Sequence, residues 1–359
     1  MKLLQILYPG LGGHSSVAFS LIEGDESKIM KHHLLGYGIE KPSQTFVEKS
    51  NELKVEFESV LKPKGFEIKS LLKVYFQIKK IKPDYIISHS TSVIFVLFIY
   101  SIFYNCKWTM VEHQSNHAKS KKDWIYTIFI LLLSPKIVYL TEVYKKEILE
   151  KFRFLTNRKK IDVISNGINL KKFHPSFSNI TKDKIVFSMI SRLNSLRDHK
   201  TLIYAIYEVS QNIPCELYIA GDGDTKEELM NLVKELKLEN IVRFSGVLNE
   251  EGIIKLLHQT DIYIHSSLAE TLSTSLLQVM ACKVPIIATN IQGINNIIMN
   301  NENGILFKVK NMQNLLDQIY TILHDDNLKH KIIDNAYNMV VNEFNSQNLF
   351  KSYMNLWRN

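Results

Sequence analysis

Short apolar runs that stop at a glycine, serine or histidine and give way to a stretch with helical spacing recur along this chain, and the recurrence breaks only once. Leu3–Leu7 runs into Pro9-Gly10-Leu11-Gly12-Gly13 and then a helix that Ser15 or Ser16 is placed to cap. Ile68–Lys80 has apolar residues at helical spacing, Lys82-Pro83-Asp84 breaks it, and Tyr85–Ser88 reads as a strand leading to His89. Trp108–Val111 reads as another strand, ending at Glu112-His113. The spacing then predicts a helix over Lys121–Leu133, a strand over Ile137–Leu140 and a helix over Glu142–Lys151. Asp162–Ile164 leads to the turn signal Asn166-Gly167. The stretch Asn169–Lys184 is polar, holds a proline and has no period. Beyond it the alternation restarts with strands over Lys184–Ile190, Glu216–Ala220, Val242–Phe244, Ile262–His265 and Val284–Ala288. Helices over Lys200–Ser210, Glu227–Leu238, Glu250–Gln259 and Thr274–Ala281 separate them, with further helices to the end. Repeated strand–helix units imply parallel sheets flanked by helices, so the expectation is an α/β chain of two Rossmann-like domains. A length of 359 residues agrees, since a single core stops growing near ~250–300 residues.

Composition removes other classes. A hydrophobic content of 45% with 22% charged residues excludes disorder and a collagen-like repeat. Cys106, Cys215 and Cys282 make neither a disulfide scaffold nor a metal spacing, and they suit a reducing compartment. The longest apolar run, Val93–Tyr104, falls short of the ~18 residues of a spanning helix, and the first residues do not read as a signal peptide. The expected location is cytoplasmic. Charge is uneven: residues 1–175 hold 27 Lys and Arg against 16 Asp and Glu, and the remainder 17 against 20. Lysines 107, 119, 121 and 122 lie between two apolar runs carrying Phe, Tyr and Trp. Two readings stand. Either the first half makes a peripheral contact with the inner face of a membrane, or both runs are core and the lysines are solvated loop. No nucleic-acid-binding module accompanies the basic half, and no nucleic acid is expected.

Candidate functional residues gather at predicted strand ends. Arg192 and Arg197 follow the strand Lys184–Ile190, and two guanidiniums in one loop suit a diphosphate as readily as solvent. Gly221-Asp222-Gly223-Asp224 reads as a turn into a helix, with glycines supplying the dihedrals and an Asp the cap, and no other carboxylates stand with it to suggest a metal. Glu270 precedes a helix start rich in Ser and Thr, which suits sugar hydroxyls and phosphate, or plain capping. His113 ends a strand, where it is placed to donate to a substrate or to be structural. A dehydrogenase would need G-x-G-x-x-G after a strand, and neither PGLGG nor GDGD has that spacing.

Taken in order, several segments resemble the retaining family 4 glycosyltransferases, whose fold, GT-B, sets two Rossmann-like domains facing across a cleft. VISNGIN with Phe173 and Pro175, SRLNSLRDHKTLI, AGDGDTKEELMNLVKELKLENIVRFSG and SSLAETLSTSLLQVMACKVPIIATNIQG carry the likeness over about 160–310. PGLGGHSS and KPDYIISHS carry it more loosely before that. The resemblance implies an acceptor-binding domain over 1–170, a linker over 171–184 and a nucleotide-sugar domain over 185–342. A helix over 343–359 would pack back on the first domain. It implies transfer from a UDP- or GDP-sugar, with retention and without a metal, to a glycan or lipid-linked acceptor of surface polysaccharide synthesis. Arg192 and Arg197 would neutralise the departing diphosphate, and Glu270 would hold donor-sugar hydroxyls. The amides of Leu272, Ser273 and Thr274 would hold phosphate, Val247 would lie near the base, and Gly12 and Gly13 would approach the phosphates. His113 would sit near the reacting sugar. Three positions depart from the pattern. Gln278 stands where the family has a ribose-binding Glu, and Thr271 and Lys283 stand at usual glycines. An amide accepts at one atom and donates at the other, so Gln278 implies weaker nucleotide binding. The alternative is a non-catalytic or degenerate subunit of the same fold.

Overall fold

The computed structural model describes residues 1–10, 13–65, 67–156, 160–176 and 183–358. It divides into two compact units, Met1–Gly167 with Ser346–Asn359, and Ile168–Asn345. In the first unit seven parallel strands run β1 (Lys2–Leu7), β2 (Lys31–Gly38), β3 (Glu56–Leu61), β4 (Tyr85–Ser88), β5 (Lys107–Glu112), β6 (Lys136–Tyr139) and β7 (Lys160–Val163). Their order in the sheet is β3-β2-β1-β4-β5-β6-β7. In the second unit β8 (Ile185–Ile190), β9 (Cys215–Ala220), β10 (Val242–Gly246), β11 (Ile262–His265), β12 (Ile286–Thr289) and β13 (Ile305–Phe307) are parallel in the order β10-β9-β8-β11-β12-β13. Both are doubly wound α/β sheets, as the strand–helix alternation predicts. The central strands β1, β4, β8 and β11 are buried along nearly their whole length because helices cover both faces. Leu4, Ile6, Ile86, Met110 and Ile137 fill the first core, and Phe187, Met189, Leu217, Ile264 and Ile287 the second.

Sequence spacing alone does not mark β2, β3, β13 or the helix Gln44–Glu52. β2 (KHHLLGYG) is rich in His and Gly, and β3 (EFESVL) is an edge strand whose glutamates face water. The first helix begins at Gly13, so Ser15 and Ser16 lie inside its first turn rather than capping it. In the Gly221–Asp224 turn, Gly221 and Gly223 take φ of +142° and +159°, as a glycine turn requires. The helix cap there is Thr225, however, and Asp222 instead accepts from the Gly223 amide at 2.9 Å.

The basic loop also differs. Lys119 is buried against Glu112 at 2.9 Å and donates to Thr127. Lys107 is exposed, but its amine donates to the Trp357 carbonyl. Lys121 and Lys122 do lie on the surface. A denser set of exposed cations beside apolar surface lies on the helix Ile68–Ile81. There Ile68, Leu72 and Phe76 form a stripe at i, i+4, i+8, flanked by Lys69, Lys73 and Lys80. The neighbouring helix Ile94–Phe103 buries Ile94, Val96, Leu97 and Tyr100 but leaves Phe98, Ile99, Ile102 and Phe103 exposed, with no charge anywhere along it.

The helix Ser346–Arg358 belongs to the first unit and buries Leu349, Phe350, Tyr353, Leu356 and Trp357 at helical spacing. Gly24 lets it approach closely, because a Cβ there would stand 2.1 Å from the Ser346 carbonyl oxygen. Trp357 stacks on Tyr85 with ring centres 4.5 Å apart and donates from Nε1 to Thr109 Oγ1 at 3.1 Å. Trp357→Ala is expected to destabilise the first unit by about 3–5 kcal/mol, through lost packing and an orphaned hydroxyl. Denaturant titration reads the change, and a loss under about 1 kcal/mol would show that this anchor is dispensable.

Candidate functional site

In a doubly wound sheet the connections leave in opposite directions from the two strands at which the order reverses, and a crevice opens at their carboxyl ends. In the second unit those strands are β8 and β11. The loop after β8 carries Arg192 and Arg197; the loop after β11 carries Glu270 and leads to the helix Thr274–Ala281. The two loops are stitched together: Leu268 N donates to Leu196 O at 2.9 Å and Asp198 N to Ser266 O at 3.2 Å. Arg197 Nη2 lies 3.0 Å from Glu270 Oε2, and its Nη1 donates to Ser267 Oγ and the Ala269 carbonyl. His265 Nε2 stands 3.3 Å from the same carboxylate oxygen, and the Thr271 amide donates to Oε1 at 3.2 Å. Burial alone would raise the Glu270 carboxyl, but Arg197 and the hydrogen bond from His265 outweigh it, and the net direction is down. Glu270 is therefore held ionised and oriented in a nearly dry setting.

Arg197 and Glu270 are thus brought together, whereas Arg192 stands apart: it is exposed and makes no ion pair among the described residues. The loop that carries Arg192 is shaped by glycines. A Cβ at Gly221 would meet Ser191 O at 1.8 Å, and one at Gly223 would meet Leu193 O at 2.1 Å. Gly221 N also donates to Gly246 O at 2.7 Å, which draws in the turn bearing the exposed Val247. Ser273 caps the helix Thr274–Ala281, with Leu272 buried behind it and Thr274 half-buried. Gln278 is buried one turn on, and its side-chain amide has no hydrogen-bond partner among the described residues. Gly293, at φ +97°, packs against the Glu270 carbonyl, where a Cβ would stand 2.1 Å away. Lys283 holds a left-handed φ of +57°, which is why a glycine is the easier residue there.

In the first unit the order reverses between β1 and β4. His89 follows β4, His113 follows β5, and Gln5 lies within β1. His89 Nδ1 is 2.8 Å from His113 Nε2, and His89 Nε2 is 3.2 Å from Gln5 Oε1. The His14 ring lies 4.4 Å from that of His113, centre to centre. Burial, with the charge of His14 next, pushes His89 down to about 3, and the same causes hold His113 well below its usual range. Gly13 opens the first helix, while Gly12 lies outside the described residues. Of this polar set the sequence reading gives a role to His113 alone: His14 and His89 lie inside PGLGGHSS and KPDYIISHS without one, as do Ser267 and Gly293 inside the segment around Glu270, and Gln5 and His265 lie in no quoted motif. The one signal for these is position, since each sits in a strand or in the segment that follows one.

Residues 171–339 match the family described as glycosyl transferases group 1. An uncharacterised glycosyltransferase of Methanocaldococcus jannaschii is 27% identical over 317 residues, 82% of this chain and 80% of its own. The UDP-Gal:α-D-GlcNAc-diphosphoundecaprenol α-1,3-galactosyltransferase of Escherichia coli is 26% identical over 300 residues, 78% and 76% of the two chains. The crystal structure of Anabaena HepE in complex with UDP and glucose superposes with a TM-score of 0.84 over 100% of both chains at 18% identity, a likeness of fold. Residues 171–339 thus carry the likeness to the group 1 glycosyl transferases, and the two doubly wound units share the fold of that UDP-bound structure.

His199, at the start of the helix His199–Ser210, shares a hydrogen bond of 2.9 Å with Ser191 Oγ, and its Nδ1 is buried without a partner among the described residues. Burial, then the charge of Arg197, lowers it to about 4. Unfolded, the ring binds a proton near pH ~6.5. The unfolded chain therefore holds more protons than the folded one between about pH 6.5 and 4, and stability falls as pH drops through that window. The expected slope is up to ~1.4 kcal/mol per pH unit for each such histidine. Denaturant titrations at about pH 7, 6 and 5 should show His199→Gln flattening this slope by about one proton; an unchanged slope would mean the ring is charged in the fold.

Proposed function

We propose that the protein transfers a sugar from a nucleoside-diphosphate-sugar, UDP- or GDP-linked, to an acceptor hydroxyl with retention at the anomeric carbon. We take the acceptor to be a lipid-linked glycan of surface polysaccharide synthesis. The observation that carries the reading is the half-buried Arg197–Glu270 pair at the strand-order reversal, inside the segment that matches the family. In this reading the second unit binds the donor and the first unit the acceptor. The bond from the anomeric carbon to the phosphate oxygen breaks, the acceptor oxygen attacks from the same face, and its proton passes to the departing phosphate. Negative charge grows on the leaving diphosphate while the sugar becomes oxocarbenium-like, so fixed cations and dipoles near the phosphate lower the barrier.

Arg192, which pairs with no carboxylate among the described residues, supplies the net positive charge; Arg197 adds donors while aligning Glu270 on the sugar hydroxyls. The amides of Leu272, Ser273 and Thr274 take phosphate, Val247 flanks the base, and Gln278 takes one ribose hydroxyl. Gly13 approaches the phosphates, and His113 meets the sugar. With the arginines and amides in these roles, turnover is expected without a metal. The name of the Escherichia coli relative, which specifies a diphosphoundecaprenol-linked substrate, supports a lipid-linked acceptor. So does the apolar and lysine-edged face of Ile68–Ile81 and Ile94–Phe103, which suits an anionic bilayer surface. The second reading, a degenerate subunit, rests on Gln278.

A thermal-shift panel of UDP-, GDP-, CDP- and dTDP-sugars, with and without magnesium, separates these. One nucleotide class at about 100 times its Kd should stabilise the protein by about 2.7 kcal/mol without magnesium, and Arg192→Ala and Glu270→Ala should abolish the shift. No shift across the panel from the folded protein would favour the degenerate subunit. For the acceptor side, co-sedimentation should show binding to phosphatidylglycerol vesicles but not phosphatidylcholine, weakened by salt and lost in Phe76→Asp/Ile102→Asp. Equal behaviour of the variant would remove the membrane from the reading.

A further inference from the structure

Gln5 has no exposed surface, and its Nε2 donates to the Ala18 carbonyl at 3.2 Å. A carbonyl oxygen only accepts, so the amide can face it only with its nitrogen, and Oε1 is left pointing the other way. Oε1 lies 3.2 Å from His89 Nε2, and since it too can only accept, His89 Nε2 carries a hydrogen. A neutral imidazole has one N–H, so His89 Nδ1 is a lone pair. That lone pair is 2.8 Å from His113 Nε2, which must therefore be the donor. His113, with its one hydrogen on Nε2, is left with Nδ1 as the acceptor of its ring. All of these assignments are anchored at the Ala18 carbonyl, a backbone group with no alternative state.

We propose that Gln5 and His89 are positioning residues that fix the tautomer of His113, so that His113 meets a sugar hydroxyl through Nδ1 as a hydrogen-bond acceptor and has no proton to give. This rests on the reading that His113 touches the sugar. A lone pair drawing on a hydroxyl hydrogen orients the ring and leaves more electron density on the sugar as it becomes oxocarbenium-like. A proton donor at the same place would do the opposite. Burial keeps both rings neutral, so the arrangement holds at ordinary pH.

The test is long-range 1H–15N correlation on the full chain labelled with 15N-histidine, without any sugar present, with signals assigned through His89→Asn and His113→Gln. The expected wild-type pattern is a protonated Nε2 and a bare Nδ1 for both His89 and His113. Gln5→Leu should mix the His113 tautomers, while Gln5→Glu, which keeps an acceptor facing His89, should preserve them. With a donor in hand, Gln5→Leu should lower kcat about tenfold with KM for the donor little changed, and Gln5→Glu should recover most of it. A wild-type His113 protonated at Nδ1 overturns the proposal, as does a folded Gln5→Leu with an unaltered pattern. Should Gln5→Leu fail to fold, the wild-type pattern and Gln5→Met decide between the same two outcomes. Because the spectra need no substrate, they stand apart from the donor panel: tautomers as expected with no donor binding would leave the relay in place and remove its sugar.

Discussion

The strand-order reversal in each parallel sheet is the constraint from which the rest follows. Parallel strands need crossover helices, and helices on both faces leave only the strand ends open to solvent. Where the order reverses, the loops after two adjacent strands diverge, and polar groups can gather there without being buried in the core. In the second unit the reversal lies between β8 and β11, and it holds Arg197, Ser267, Ala269 and Glu270 within hydrogen-bonding distance. In the first unit it lies between β1 and β4, and it holds Gln5 and His89, with His113 just past the end of the next strand. The same topological rule thus generates one charged site and one neutral site.

The two sites solve the problem of buried polarity differently. At Glu270 the burial penalty is met by the full counter-charge of Arg197, with the His265 ring and the Thr271 amide beside it, so the carboxylate stays ionised. An ion pair of this kind contributes little net stability, because desolvation offsets most of its attraction, but breaking it leaves a lone buried charge. Its value is orientation. Around His89 the rings stay neutral instead, joined by hydrogen bonds whose direction is set from Gln5. A neutral chain avoids the desolvation penalty and still fixes which atom donates.

The second unit is legible in the sequence because its strands are short, mostly apolar and closed by marked loops. Ile262–His265, Thr274–Ala281 and Glu250–Gln259 fall on the predicted residues. β2 escapes because histidines and glycines in KHHLLGYG mask a strand whose burial comes from its neighbours, a property no local window contains. β3 escapes because an edge strand need only bury one face. The site divides along the same line. Arg192, Arg197 and Glu270 stand close in sequence to strand ends and can be picked out. The hydrogen bond between Gln5, inside β1, and His89 cannot, because it depends on β1 and β4 being adjacent although 84 positions separate the two residues in the chain.

Lys119 shows how a charge count can misplace a surface. By composition it belongs to a basic cluster beside apolar runs; in the fold its amine is buried on Glu112 and Thr127, under the strand end that carries His113. Its charge is neutralised inside the protein and contributes little to any field outside. The excess of lysine over acid in the first half therefore acts at the surface chiefly through side chains that have no buried partner, and several of these line the helix Ile68–Ile81 beside Ile68, Leu72 and Phe76. An exposed apolar stripe is unfavourable in water, and a lysine border of this kind keeps it soluble while favouring an anionic surface. The basic character of the first half and its apolar face thus meet on one helix and its uncharged neighbour, and the loop that composition favours is partly consumed in holding the fold together.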